Sequence, residues 1–531
     1  MLRIGVDVGG TNTDAVLMDG RRLLASHKHP TTPNVSDGIV GAIRAILRDG
    51  TGAECAPANI AAVMIGTTHF TNAFVERRNL SRVGVLRIAL PAALGVPPLT
   101  DWPKDFVAAI GHNVHCVRGG YHYDGRINST LDERAVAEAA RRMKADGIVC
   151  AAVCGLFSPV NAAMEERAAQ IIAEEAPQIA VTLSSRIGRI GLIERENAAI
   201  MNASLAAMAR EVVAAFASAL RSLGIEAPLF ISQNDGTLMS AERVAQYPVL
   251  TFASGPTNSM RGAAYLSGLS DALVADIGGT TTDIGMLVGG FPRESAVSAD
   301  IGGVRTNFRM PDLLSIGLGG GSLVHFEAGA VRVGPRSAGY RLTQTARVFG
   351  GETLTASDIA VAAGYARMGE ATRVADLDPA LVKAGVAEIH RLFAEGLDRM
   401  KTSAAALPLV LVGGGSLLIQ GDIPGVSQVI IPEAAGVANA IGASITQVGG
   451  EVERVYSYQE LGRNGAIAAA TEEARRAAVA SGAAAQSLRV VEVEELPLAY
   501  VPGGAVRLRV KVTGDLALAH AQETSAGRVQ A

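Results

Sequence analysis

Asp7-Val8-Gly9-Gly10-Thr11-Asn12-Thr13-Asp14 and Asp276-Ile277-Gly278-Gly279-Thr280-Thr281-Thr282-Asp283 are two copies of one octapeptide, identical at six of eight positions. Each lies between apolar runs: Leu2-Arg3-Ile4-Gly5-Val6 leads into the first copy, and Ala272–Asp276 and Ile284–Val288 flank the second. A repeat at this separation signals duplicated domains rather than a solenoid. Either copy alone reads as an ordinary glycine-rich turn. The matched pair in matched strand context carries the reading.

Each copy is expected to be a β-hairpin whose turn holds two glycines. Glycine accepts positive φ and lets a ligand approach the backbone closely. Successive N–H groups in such a turn form an anion-binding nest, and threonine hydroxyls add donors without charge. An aspartate beside a bare phosphate is repulsive, so its presence implies Mg²⁺ and its waters between carboxylate and phosphate. No Gly-Lys dipeptide occurs, so there is no Walker A lysine. Neutralisation is therefore assigned to backbone N–H groups and metal.

Three more glycine features surround the repeat. Leu409-Val410-Leu411-Val412 runs into Gly413-Gly414-Gly415-Ser416, a strand and turn where a base and ribose could lie against backbone. Pro432 to Ala443 reads as a small-residue helix that a second helix could cross closely. Ser315 to Ser322 holds another triple glycine. None fits Gly-x-Gly-x-x-Gly, which leaves a Rossmann reading unsupported.

The chain has 531 residues, enough for two or three domains. With 49% hydrophobic and 18% charged residues it is not disordered. A net charge of −4 and the lack of a basic run argue against nucleic acid as a partner. Cys55, Cys116, Cys150 and Cys154 fit no zinc pattern and read as reduced thiols in a cytoplasmic protein. No apolar stretch reads as long enough to span a bilayer. Arg22–Lys28 reads as a third strand and residues 36–49 as a helix. Residues 90–128 read as an irregular insertion at a surface or ligand mouth. Thr130 and Glu133 form an expected capping box, and a long helix is expected from about Glu196 to Leu223. Glu194, Arg195 and Glu196 read as helix-start ion pairs. Cys150 and Cys154 read as core, and Asn234-Asp235-Gly236 as a turn at the cleft or the surface.

In order, these pieces resemble the actin, sugar-kinase and Hsp70 superfamily. Asp7–Asp14 would be its first phosphate hairpin, Glu196–Ser204 its first connecting helix, and Asp276–Asp283 its second hairpin. Val412–Ser416 would be its adenosine turn and Ala434–Ser444 its second connecting helix. More narrowly, the chain resembles the A-type subunit of the hydantoinase/oxoprolinase family. That likeness rests on Gly66-Thr67-Thr68 with Thr71-Asn72-Ala73 and Glu76-Arg77, on Ser158-Pro159-Val160-Asn161 with Glu165-Glu166-Arg167, on Ser254-Gly255-Pro256, and on Ile316–Ser322 followed by Val333–Gly339. It departs at Asn12, commonly phenylalanine in larger oxoprolinases, and in lacking Pro-Gly-Pro-Ala-Cys after Gly339. These departures bear on the substrate, not on the nucleotide site.

The resemblance implies an α/β fold of two duplicated actin-like (ribonuclease-H-like) domains around an ATP cleft, residues 1–195 and 196–450, with a small α+β region at 451–531. It implies ATP and Mg²⁺, and ATP-dependent opening of a cyclic amide such as a hydantoin, 5-oxoproline or another lactam. Asp7 and Asp276 would be the catalytic, metal-facing carboxylates. Gly9, Gly10, Thr11, Thr13, Gly278, Gly279, Thr280 and Thr281 would hold phosphate. Asp14 and Asp283 would order the hairpins or touch metal-bound water, and Gly413, Gly414 and Gly415 would face the nucleoside. A separate B-type subunit and an oligomer are expected, with no membrane or nucleic-acid partner. His69 is a weaker acid–base candidate. Ketone carboxylation, small-molecule phosphorylation and a non-enzymatic nucleotide switch stay open as alternatives.

Overall fold

The structure, a computed structural model, describes residues 1–9, 12–30, 35–50, 55–295, 298–327, 329–499 and 503–517. Its contacts divide into two compact units, residues 1–236 with 241–446, and residues 237–240 with those from 447 onward.

The first unit contains the same sheet plan twice. Leu2–Val8 pairs antiparallel with Asn12–Asp19, which pairs antiparallel with Arg22–Pro30. On its other side Leu2–Val8 runs parallel to Ile60–Thr67, and that strand parallel to Leu229–Ser232. In the second sheet Ala272–Ile277 pairs antiparallel with Thr282–Val288, whose far edge meets Phe291–Pro292 and Leu313–Ile316. Leu407–Val412 and then Val426–Ile430 follow in parallel. This is the duplicated actin-like, ribonuclease-H-like arrangement. Ile4, Val6, Val274 and Leu411 are buried because helices cover the parallel strands on both faces, so these strands read as nearly unbroken apolar runs.

The two hairpins share one register. Asp7 stands opposite Asp14 and Val8 opposite Thr13; Asp276 stands opposite Asp283 and Ile277 opposite Thr282. Gly9 N–H donates to Asn12 O at 3.0 Å, and Gly278 N–H to Thr281 O at 2.9 Å. The sequence repeat is therefore a repeat of backbone geometry.

A third, all-parallel sheet joins Ala180–Leu183, Cys150–Gly155, Val83–Leu90 and Asn113–Arg118. Its last strand lies inside residues 90–128, so that segment is not wholly irregular as its composition suggests. Trp102 and Phe106 from the same segment are buried against Phe74, and Phe74 in turn meets Phe252. Beneath them Arg87 and Glu196 form a bidentate pair at 2.6 and 2.5 Å with side chains almost fully buried. The expected helix-start ion pairing of Glu196 is thus replaced by a pair with a residue distant in sequence. Arg195 instead donates to Ser184 Oγ and to the carbonyls of Gly155, Arg189, Ile190 and Gly191. Glu196→Ala would strand a buried guanidinium and should cost about 3–5 kcal/mol, whereas Arg87→Met with Glu196→Leu should recover most of it. Chemical denaturation of the two variants checks this.

Three other expectations are corrected. Asp132, not Thr130, caps helix Glu133–Ala145, its carboxylate accepting from Ala135 N–H at 3.0 Å. Helix Leu192–Ser222 is long and apolar enough to cross a membrane by length and composition. Half of its most apolar window is nonetheless buried inside the protein, and Arg195, Glu196, Asn197 and Asn202 are buried with it. The helix that crosses Ala438–Ile445, left unnamed by the sequence, is Ser254–Ser267. The first hairpin's sheet also takes strand Leu229–Ser232 from beyond residue 195.

In the second unit Gln447–Ser457, Ala505–Gly514 and Arg489–Pro497 form an antiparallel meander, with Thr237–Ser240 parallel to the first of them. Helix Tyr458–Ala480 buries Ala466, Ala470, Ala474 and Ala478 at four-residue spacing, one stripe of the helix. Gly450 lets it approach: a Cβ there would meet Ala478 N at 2.2 Å.

Candidate functional site

Asp7 is the penultimate residue of strand Leu2–Val8 and is buried. Its oxygens accept from Asn258 Nδ2 at 3.2 Å and from Asn439 Nδ2 at 3.1 Å. The second amide also donates to Asp14 Oδ2 at 2.9 Å, tying the hairpin's two carboxylates together. Gly66, across the parallel ladder, leaves the space Asp7 occupies: a Cβ there would lie 2.3 Å from Asp7 Oδ1. Ser254 clamps the adjoining loop, accepting from Thr67 N–H at 3.1 Å and donating to Thr67 O at 2.9 Å.

Asp276 occupies the equivalent place on the second hairpin. Ser259 Oγ donates to it at 2.5 Å, and Gly413, at φ +85°, takes the role of Gly66. A Cβ on Gly413 would meet Asp276 Oδ1 at 2.2 Å. Asp283 accepts from Ser315 Oγ. The turn itself is held from behind: Gly320 N–H donates to Gly278 O at 3.0 Å, Gly321 N–H to Gly279 O at 2.7 Å, and Gly415 N–H to Ile277 O at 2.7 Å. Ser357 in turn donates to Gly320 O through both N–H and Oγ. The triple glycine at 319–321 is thus a brace for the hairpin turn, and a Cβ on Gly319 or Gly321 would collide with the turn's backbone.

The two hairpins converge electrostatically through helix Ser254–Ser267, whose consecutive residues Asn258 and Ser259 hold Asp7 and Asp276. Burial pushes the Asp7 carboxyl up to about 7, with the charges of Asp14 and Asp276 adding to the rise. Burial also raises Asp276, against the opposing effects of Ser259 and the Lys28 ammonium. Asp283 is pushed up to about 6 by burial and by Asp276. Carboxylates raised this way are stabilised when a cation joins them.

No group of three or more His, Cys, Asp or Glu side chains among the described residues is arranged to hold a metal ion. A protein cage is therefore absent there, but the donors suit a water-rich Mg²⁺, which uses one or two carboxylates plus phosphate oxygens. Asn258 Oδ1, fully buried beside Asp7 and without a hydrogen-bond partner among the described residues, is an acceptor suited to a metal-bound water. Asp7 and Asp276 would hold such an ion through its waters.

The remaining expectations divide. Gly9, Gly278, Gly279, Thr280 and Thr281 lie at the hairpin turns, with Thr280 and Thr281 exposed at the tip. Gly10 and Thr11 lie outside the described residues. Thr13 is buried within its strand and its hydroxyl has no partner among the described residues; its counterpart Thr282 donates to Leu318 O at 2.6 Å. Of the adenosine turn, Gly413 and Gly415 face the hairpin while a Cβ on Gly414 would meet open space. His69 makes no hydrogen bond to these carboxylates among the described residues, and burial, then Arg78, lowers its basicity. Cys150 and Cys154 are core thiols pushed up to about 11 and about 12 by burial. Asn234 is buried, bonding Val249 O and Ala253 N–H, so it anchors the entry to helix Ser254–Ser267. Asn258, Ser259, Asn439 and Lys28 were not foreseen. Their nearest sequence signals are the Ser254-Gly255-Pro256 segment, the small-residue run at 432–443 and the third strand.

Residues 3–176 match the hydantoinase/oxoprolinase N-terminal region, and residues 195–388 match the hydantoinase/oxoprolinase domain that follows it. The acetophenone carboxylase gamma subunit of Aromatoleum aromaticum is 29% identical over 399 residues, which cover 68% of this chain and 53% of that protein. The caprolactamase subunit alpha of Pseudomonas jessenii is 26% identical over 382 residues, 68% of this chain and 54% of that one. The matched region thus spans about half the length of these curated relatives. Among solved structures, ATP-dependent caprolactamase from Pseudomonas jessenii superposes with a TM-score of 0.75 at 20% identity, covering 96% of this chain and 87% of that one. Nucleotide-free acetone carboxylase gives 0.68 at 19% identity, covering 97% and 88%. Both describe the fold found here. With its N-terminal and A regions matched in order and its fold shared, the chain belongs to the hydantoinase/oxoprolinase family.

Proposed function

We propose that this chain binds Mg·ATP between its two hairpins and transfers the γ-phosphoryl group to the oxygen of a cyclic amide, leading to ring opening. The observation that carries the reading is the shared register of the two Asp–Asp hairpins, joined through Asn258 and Ser259. An unstrained amide is a poor electrophile. Attack of its oxygen on the γ-phosphorus, with ADP leaving, gives a phospho-imidate. Water then adds at carbon, the ring C–N bond breaks with the nitrogen leaving as the protonated amine, and a second water hydrolyses the resulting acyl phosphate to carboxylate and phosphate. Such transfer needs positioning and charge stabilisation more than covalent help. Gly9 and Gly278 close the turns with their own N–H groups, so the backbone N–H groups of Gly10 and Gly279 would supply the donors, with the Thr11, Thr280 and Thr281 hydroxyls beside them. Gly414 would face the nucleoside. A bound Mg²⁺ would offset charge on the β- and γ-phosphate oxygens. Asp7 and Asp276 would orient its waters, and Asp14 and Asp283 would keep the hairpins ordered.

The chain would act as an A-type subunit beside a separate B-type subunit, in an oligomer in the cytoplasm. Support comes from the subunit names of its relatives and from four cysteines that are all free. Similarity to the acetophenone carboxylase gamma subunit favours a second reading, in which phosphorylation activates a ketone for carboxylation. Phosphate release from ATP by the purified chain, with and without a B-type subunit, separates the two. Stimulation by a lactam or hydantoin without bicarbonate supports ring opening, and stimulation by a ketone only with bicarbonate supports carboxylation. No ATP turnover under either condition would sink both.

A further inference from the structure

One lysine is paired with a carboxylate of the first hairpin and lies within electrostatic reach of the second. Lys28 lies directly across the strand ladder from Asp14, and its ammonium donates to both Asp14 oxygens at 2.8 and 2.9 Å. Its charge also reaches Asp276 on the other hairpin. The two ends of the Lys28–Asp14 pair differ. The Asp14 side chain is 6% exposed and is anchored independently by Asn439, whereas the Lys28 side chain is 40% exposed. Its stem passes Gly436, where a Cβ would sit 3.7 Å from Lys28 Cε. An ammonium has three N–H donors on a flexible stem, and Asp14 takes two.

The surrounding charge needs such a cation. Asp7, Asp14, Asp276 and Asp283 are gathered where a polyphosphate is expected to enter, and the glycine turns hold no lysine of their own. Sequence reasoning assigned neutralisation to backbone and metal alone. The geometry points to Lys28 as a tethered cation for the terminal phosphates of the nucleotide, its third N–H turned to a phosphate oxygen while Asp14 holds it at the first hairpin. This rests on the nucleotide reading above and adds a contact that reading does not contain. A lysine supplied from the neighbouring strand would replace one supplied from the phosphate loop.

Calorimetric binding of Mg·ATP and of adenosine to wild-type, K28R and K28M chains tests this. Loss of a charge-assisted hydrogen bond should weaken Mg·ATP binding about ten- to a hundredfold in K28M. Adenosine affinity should be unchanged, and K28R should fall between. Unchanged Mg·ATP affinity in K28M would overturn the proposal. So would an equal loss for adenosine, which is what a merely structural lysine would give. Should K28M fail to fold, acetylation of Lys28 in the wild-type chain, read by mass spectrometry, replaces it. Protection by Mg·ATP but not by adenosine supports the contact, and unchanged labelling overturns it. A wild-type chain that bound neither ligand would overturn the nucleotide reading and this proposal with it. Tight wild-type binding retained in K28M would overturn the Lys28 contact alone.

Discussion

Asp7→Asn is expected to lower nucleotide turnover by at least about a hundred- to a thousandfold, the scale for losing one fixed group that faces developing charge, while making the metal-free chain more stable at neutral and alkaline pH. The two effects share one cause. Asp7 is a carboxylate in a buried place, held by two amides but facing Asp14 and Asp276. On the proposed reading its charge would serve a cation, and burial makes that charge costly without one. Asparagine has the same shape and no charge. Asn258 can accept its new N–H, because the Oδ1 of that amide has no partner; turning the amide over restores a complementary pair.

The pH dependence has a definite sign. The carboxyl of Asp7 ionises near 3.8 in the unfolded chain and near 7 in the folded one. Between those values the folded state binds the extra proton, so wild-type stability falls as pH rises and levels off above about 7. The D7N advantage should be absent below pH 3.8, grow through that window, and reach roughly 2–4 kcal/mol at pH 8. Thermal melts of both chains in EDTA across pH 4 to about 8.5 measure it. Saturating Mg·ATP should narrow the gap, since at a hundredfold excess over Kd it stabilises only the chain that binds it, by about 2.7 kcal/mol. A D7N chain that melted lower than wild type at pH 8 without metal would show that Asp7 is not a stored electrostatic cost.

What the residues disclosed in advance was mostly local. The hairpins were legible because the turn chemistry is carried by eight adjacent residues and stated twice. Leu229–Ser232 and Arg22–Pro30 were legible because short apolar or alternating runs bounded by turns specify strands. The carboxylate partners were not. Asn258 and Asn439 lie 251 and 432 positions from Asp7, and an asparagine among small helical residues has many ordinary uses. Arg87 and Glu196, 109 positions apart, were hidden for the same reason. The cap of helix Glu133–Ala145 failed differently. Thr130 and Asp132 are both competent N-caps, and only backbone geometry selects Asp132. The crossing of Ala438–Ile445 by a second helix was foreseen from its small residues, but which helix crosses it was left open. The Leu192–Ser222 helix has the more conspicuous length, whereas the contact depends on glycines at particular positions.

Those glycines make the other large effect. A Cβ on Gly442 would lie 1.8 Å from Asn258 O, one on Gly262 would lie 1.9 Å from Ala438 O, and one on Gly5 would lie 2.1 Å from Ala440 O. Helix Ala438–Ile445 is thus wedged between helix Ser254–Ser267 and strand Leu2–Val8, backbone against backbone. Carbon and carbonyl oxygen rest at about 3.3 Å or more, so Gly442→Ala must drive the helices apart by more than an ångström. No flexible side chain lies there to yield. The destabilisation should be at least about 3 kcal/mol, at the upper end of overpacking costs. Gly95→Ala, where a Cβ would meet nothing, should stay within about 0.5 kcal/mol. Function should fail before the fold does. The carbonyl struck is that of Asn258, and Asn439 rides on the displaced helix, so both amides that position Asp7 shift together. A displacement of this size can cost about a hundredfold in rate. G442A should therefore lose nucleotide turnover at temperatures where circular dichroism still reports folded chain. A G442A chain matching G95A in both melting and turnover would mean that these helices do not meet at their backbones, and that Asp7 is not held from the crossing.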